Sequence, residues 1–174
     1  MSEQPSCLAA GVIERGSHDM SERCVLKICV ACSPGGHMVQ ARRLASAYEG
    51  HDYFYFTFAG PVARELQKTA RVRTIPNVVR SRPDLWIIGA LYSAYLALVE
   101  RPDVIITTGA GVVVFFCFLS KLLGAKLIFL ESMAKIERPT LTARLLYPFS
   151  DLFIVQWPGL LRFFPRAQFV GRLF

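Results

Sequence analysis

Two hydrophobic rhythms alternate along the chain. Residues 26–32 form an apolar run broken only by Lys27, the pattern of a parallel strand covered on both faces. Residues 38–48 then place Met38, Ala41, Leu44, Ala45 and Tyr48 at helical spacing, with Arg42 and Arg43 on the other side. The sequence "DYFYFTF" at 52–58 predicts a second strand, 61–69 a second helix and "RVRTIP" a short third strand. Residues 85–99 read as an apolar helix, and "PDVIITTGAG" as a strand running into a glycine turn. A buried helix over 112–124, ended by Gly124, precedes the strand "KLIFLES", a helix over 140–149 and the strand "LFIVQ". This order predicts an α/β fold, a Rossmann-like open parallel sheet with helices on both faces.

In such sheets ligands collect beyond the carboxyl ends of the strands. Three segments are expected at that edge: "SPGGH" after the first strand, "TTGAG" after the fourth and "ESMAK" after the fifth. Glycines let backbone approach a phosphate closely, and free N–H groups at a helix start add partial positive charge. Two such loops facing one crevice suit a diphosphate. Each feature also has a plainer reading. Gly35 and Gly36 permit a tight turn, Gly109 and Gly111 pack strand against helix, and Glu131 pairs with Lys135 if that stretch is helical. Taken together on one edge, they favour a site. His37, in the first turn of a helix, would be kept neutral by the helix dipole and available as a base.

The fingerprints of self-contained nucleotide enzymes are missing. Neither "SPGGHM" nor "TGAGVV" has the full G-x-G-x-x-G spacing, the second strand closes on Phe58 and Ala59 rather than an acid, and no P-loop occurs. No metal cluster is visible either, and neither a metal nor a cofactor is expected.

Composition changes the picture in one respect. The 174 residues are 53% hydrophobic and only 19% charged, greasier than a typical soluble domain, so membrane contact enters as an expectation. The formal charge is +7; Glu3, Glu14 and Asp19 against Arg15 give the first twenty residues −2, leaving +9 on the remainder. An anionic partner fits that excess, but nucleic acid is disfavoured, because the basic residues are dispersed and no nucleic-acid motif occurs. The helix over 85–99 reaches about 22 Å against a hydrocarbon core of roughly 30 Å, which makes it either buried or interfacial. Five cysteines stand at 7, 24, 29, 32 and 117. Cys29 and Cys32 form a C-x-x-C within a strand, where residues three apart face opposite ways, so buried thiols in a reducing compartment are expected rather than a redox or zinc site. Residues 1–24 read as a disordered leader, with Met20 an alternative start, and 25–174 as one Rossmann-like domain that binds an acceptor and associates with a membrane.

The segments "CSPGGHMVQARRL", "ITTGAGVVVFFCFLSKLLGAKLIFLES" and "RPTLTARLLYPFSDLFIVQWPGL" resemble the Alg14 and PssD group of glycosyltransferase subunits, bacterial exopolysaccharide proteins of the PssD type especially. That resemblance implies a single GT-B half-domain, the N-terminal half of a split enzyme of the MurG type. It implies a subunit that binds a polyprenyl-diphosphate-linked acceptor at the cytoplasmic face of the inner membrane, peripherally or monotopically. A small donor-binding partner of the Alg13 or PssE type would hold the UDP-sugar, with glucuronate expected ahead of N-acetylglucosamine or galactose. Carried over by position, His37 and Glu131 are first and second candidates for the base. Ser33, Gly35, Gly36, Gly109, Ala110, Gly111 and Ser132 are candidates for binding the acceptor diphosphate, and Gln156, Trp157 and Phe174 for the partner interface. Eukaryotic members carry an N-terminal membrane helix for which no counterpart is expected here. Attachment is therefore expected to use the apolar helix with Arg80 and Arg82, and Arg162, Arg166 and Arg172. The rival expectations are a noncatalytic membrane scaffold that activates its partner and a free-standing nucleotide-binding enzyme.

Overall fold

A computed structural model describes residues 24–76, 83–109, 111 and 113–172, with side chains omitted over 83–86. The leader to residue 23, Arg80, Arg82, Ala110 and Phe174 lie outside the described residues. Seven strands, β1 (Lys27–Cys32), β2 (Asp52–Phe58), β3 (Val72–Ile75), β4 (Val104–Gly109), β5 (Lys126–Leu130), β6 (Leu152–Val155) and β7 (Gln168–Phe169), form one sheet in the order β3-β2-β1-β4-β5-β6-β7. All pairings are parallel. The chain winds outward from β1 in one direction and from β4 in the other, so the strand order reverses between them and opens a crevice at their carboxyl ends.

Five α-helices cover the sheet: α1 (Gly36–Arg43), α2 (Pro61–Leu66), α3 (Pro83–Glu100), α4 (Val113–Leu122) and α5 (Leu141–Leu146). One core layer sets Cys29, Ala31, Phe54 and Phe56 against Leu96 and Ala97 of α3, Phe116 and Cys117 of α4, and Ala143 and Leu146 of α5. The opposite layer sets Ile28, Val30, Cys32 and Tyr55 against Met38 and Ala41 of α1 and Leu66 of α2. Cys29 and Cys32 fall in different layers, as strand alternation requires, and burial pushes the Cys32 thiol up to about 12.

The first helix is shorter than its hydrophobic spacing predicts. After Arg43 the chain tightens into a 3₁₀ turn over Ala45–Ala47, which drops the Tyr48 ring into the core. There the Tyr48 hydroxyl donates to the Ala41 carbonyl at 3.0 Å and shares a hydrogen bond with the Tyr55 hydroxyl.

Carboxylates pin the amino edge of the sheet. Glu100, 5% exposed, meets Lys27 and Arg73 at 2.7 Å and Arg71 at 3.5 Å. Burial opposes its charge, yet Lys27 and Arg73 outweigh that penalty and hold its pKa below the ordinary value. Asp103 accepts the Lys27 N–H at 2.7 Å, and Asp151 accepts the Leu127 N–H at 2.8 Å. The carboxyl edge is built differently.

Candidate functional site

At the carboxyl end of β1 the chain turns through Ser33 and Pro34 to Gly35, whose φ of 90° is the left-handed conformation that favours glycine. Gly35 is the N-cap of α1 and no side chain caps this end. The amides of the first turn therefore stand ready for a ligand or solvent. Gly35 and Gly36 are exposed, and a Cβ at either would meet nothing within 4 Å.

The fourth strand ends beside this corner. Cys32 pairs in register with Gly109 across a β-bulge, and the Thr108 hydroxyl donates to the His37 carbonyl at 3.4 Å. The two glycine turns thus adjoin at the switch point, but their glycines differ in role. Gly109 has φ 87°, is buried and donates its N–H to Thr107 Oγ1 at 3.1 Å; a Cβ there would press the Phe129 ring at 3.3 Å. It packs the strand end against the core, the plainer reading available from the sequence. Gly111 is the exposed member of that turn.

His37 sits half-buried between the corners. Its Nδ1 is buried and has no hydrogen-bond partner among the described residues. Desolvation lowers its pKa, with the Thr108 backbone acting in the opposite direction, so the ring is neutral near pH 7.

Glu131, at the end of β5, is fully buried. Its Oε1 accepts the Ser132 N–H at 2.9 Å, its Oε2 accepts the Thr140 N–H at 3.3 Å, and the Thr140 hydroxyl donates to both oxygens. Burial raises its pKa while these donors oppose the rise. The second candidate for the base is therefore turned inward, closing the loop 131–140 at its root. That loop is a series of turns rather than a helix, so Lys135 forms no helical i,i+4 ion pair with Glu131 and acts on it only as a nearby charge that favours the carboxylate. Ser132 is also buried, its hydroxyl accepting the Ala134 N–H at 3.3 Å.

Gln156 is buried as well. Its Nε2 donates to the Glu131 carbonyl at 3.0 Å and to Gln40 Oε1 at 3.4 Å, joining the ends of β5 and β6 to α1. It lies beneath the surface proposed for a partner rather than on it. Trp157 is half-buried and donates to the Met133 carbonyl at 2.7 Å, with the Arg172 guanidinium over its ring at 5.4 Å.

A hollow of about 220 Å³ opens above this network, lined by Gly36, Val39, Gln40, Arg43 and Met133. The sequence reading passed over Gln40, Arg43 and Met133. The sequence signal for Gln40 was weak, because helical spacing puts it at the margin of the apolar face of α1 rather than within it.

Taken together, the all-parallel sheet, the reversed strand order and the glycine turns at the switch point define a Rossmann-like half-domain of the GT-B type. The Acinetobacter baumannii MurG structure superimposes with a TM-score of 0.63 at 15% identity, over 76% of this chain and 42% of that one. The UDP-N-acetylglucosamine 2-epimerase of Rickettsia bellii gives 0.67 at 11% identity, over 86% and 45%. Residues 59–173 match the family described as "Oligosaccharide biosynthesis protein Alg14 like", and the chain belongs to that family. The Candida albicans protein named UDP-N-acetylglucosamine transferase subunit ALG14 is 38% identical over a stretch covering 59% of this chain and 50% of its own length. The rat protein of that name is 27% identical over 90% of this chain and 87% of its own. A Schizosaccharomyces pombe relative, 41% identical, aligns over 40% of this chain and 36% of its own length.

Thr140 joins two functions, since its hydroxyl accepts the Ala143 N–H as the N-cap of α5 while donating to Glu131. Thr140→Val removes both bonds and leaves a buried carboxylate short of a donor. It is expected to lower unfolding free energy by about 1–2 kcal/mol, read from the urea midpoint at constant slope.

Proposed function

We propose that this chain is the acceptor-binding subunit of a two-component glycosyltransferase acting on a polyprenyl-diphosphate-linked acceptor. The observation that carries the reading is the pair of adjoining turns at the β1/β4 switch point, with an uncapped helix start and a neutral, half-buried His37 between them. Free amides and a positive helix end suit a diphosphate, and they leave imidazole free for proton transfer. Ser33, Gly35, Gly36 and Gly111 contribute backbone to the diphosphate. Gly109 and Ser132 hold that backbone in shape, and Glu131 is a positioning residue.

A small donor-binding half of the Alg13 or PssE type completes the enzyme. The match to less than half of MurG supports this division, because a two-lobed transferase needs a second lobe facing the carboxyl edge of this sheet. The docking face includes Trp157 and the broad surface hollow of about 580 Å³ lined by Ile136, Glu137, Pro158, Gly159 and Arg162 as well. In the assembled pair, His37 takes the proton from the acceptor hydroxyl as that oxygen attacks the anomeric carbon and UDP leaves. The relatives' names favour N-acetylglucosamine as the donor sugar over glucuronate, and assays with both donors separate them.

Attachment to the cytoplasmic face of a membrane is part of the same reading. Among the described residues no helix is long and apolar enough to cross a bilayer. Yet α3 exposes Ile87, Ile88, Leu91, Tyr95, Leu98 and Val99, and Phe115, Phe118 and Leu122 of the neighbouring α4 are exposed too. Leu91 and Leu122 are 66% and 68% exposed. Apolar surface on this scale, with exposed Arg101 and Arg144 on the same layer of helices, fits a peripheral lipid contact. Paired Leu91→Glu and Leu122→Glu changes are expected to cut co-sedimentation with phosphatidylglycerol vesicles at least tenfold, since each inserted side chain contributes about 1.5–3 kcal/mol. Unchanged sedimentation assigns this face to something other than lipid.

His37→Ala should lower transfer by the reconstituted pair by about 10²–10⁴-fold while assembly, followed by co-purification, is retained. In the unaltered pair the rate is expected to be level near neutrality and to fall as pH drops through a value below the ordinary 6.5, because the base is active only when neutral. Full transfer by His37→Ala would make His37 structural and remove it as the base.

A further inference from the structure

The α1 flank carries an amide whose orientation is set from the far side of the fold. Gln40 is 8% exposed, and its Oε1 accepts from Gln156 Nε2. Gln156 is itself anchored by donation to the Glu131 carbonyl, so it must present hydrogen rather than oxygen to Gln40. The Gln40 amide is thereby held with its carbonyl inward and its NH₂ group free of any protein acceptor among the described residues. Gln40 lines the 220 Å³ hollow together with Gly36, Val39, Arg43 and Met133. The Gln40 NH₂ group opens onto that hollow, where a ligand or water accepts its hydrogens.

The rest of the lining indicates what that ligand is. Gly36 begins the uncapped helix, so its end of the hollow is electropositive. Arg43, one helical repeat of seven along, brings a guanidinium, and Arg42 and Lys135 are further exposed cations nearby in the chain. Of the carboxylates in the loop 131–140, Glu131 is turned inward and Glu137 lines the separate hollow beside Trp157. Val39 and Met133 make the remaining wall apolar. The hollow is smaller than the roughly 300–1,000 Å³ typical of sites that enclose a whole drug-sized molecule, and its lining offers no ring for a base to stack on.

We propose that Gln40 and Arg43 bind the diphosphate of an isoprenyl-diphosphate ligand, with Val39 and Met133 against its first carbons. Gln156 is the positioning residue that orients the Gln40 amide. The proposal rests on the reading of the chain as the acceptor subunit, and it extends the diphosphate contacts from the glycine turn at Gly36 along the flank of α1.

The test is titration of the full chain with geranyl diphosphate, alongside inorganic pyrophosphate and geraniol, for the unaltered protein and the variants Gln40→Glu and Arg43→Gln. Gln40→Glu is isosteric and keeps an acceptor for Gln156 while replacing the NH₂ group by an oxygen that repels phosphate. Both variants should weaken geranyl diphosphate binding at least tenfold, and geranyl diphosphate should bind more tightly than either fragment. Arg43 is exposed, so Arg43→Gln carries the test by itself if Gln40→Glu fails to fold. Binding to the unaltered chain with equal affinity for both variants overturns this assignment and leaves the acceptor reading standing. Absence of any geranyl diphosphate binding by the unaltered chain overturns both.

Discussion

A carboxylate with no solvent exposure organises the carboxyl edge of this protein. Glu131 would be strongly disfavoured as an isolated buried charge, and the surrounding backbone is folded to supply it with donors from Ser132 and Thr140. Those bonds close the loop 131–140 and place Thr140 to cap α5. The carbonyl of the same residue receives Gln156, and Gln156 reaches Gln40 on α1. One residue therefore ties together the ends of β5, β6 and α5 and the flank of α1, and the crevice keeps its shape because these ends cannot move separately.

The two edges of the sheet handle charge in opposite ways. At the amino edge Glu100, Asp103 and Asp151 meet lysines, arginines and strand amides, an arrangement that satisfies itself within the chain. At the carboxyl edge the acid is turned inward while glycine backbone, an uncapped helix start and Arg43 are exposed, with the Gln40 amide lining the hollow beneath. In the proposed reading, an anionic ligand docks at the second edge and not at the first. His37 fits the same proposal, since burial lowers its pKa and a neutral ring would add no charge to a site holding a diphosphate.

Much of this was legible in the residues. The run over 26–32 alternates between two core layers as a doubly covered strand must, and the three loops singled out as a site do gather at one edge. The helix α3 was legible as an element but not in its orientation. Residues 85–99 are apolar all round, so periodicity gives no direction, and only packing on α4 decides that Leu96 and Ala97 turn inward while Leu91 and Leu98 remain outside. The strand β7 has only two exposed residues and no pattern to read. The roles of Gln40 and Gln156 were hidden for a different reason: they lie 116 positions apart, and each acquires its meaning from the other. Glu131 likewise looked like a cleft acid because sequence gives its place at a strand end but not the direction of its donors.

Hydrogen exchange of the full chain, with and without an isoprenyl-diphosphate-linked acceptor, tests the central claim most directly. The account predicts new amide protection over residues 33–40 and 131–135, with the amino edge unchanged. Protection confined to the strand starts around Lys27 and Arg73, with none at the glycine turn of α1, would contradict it.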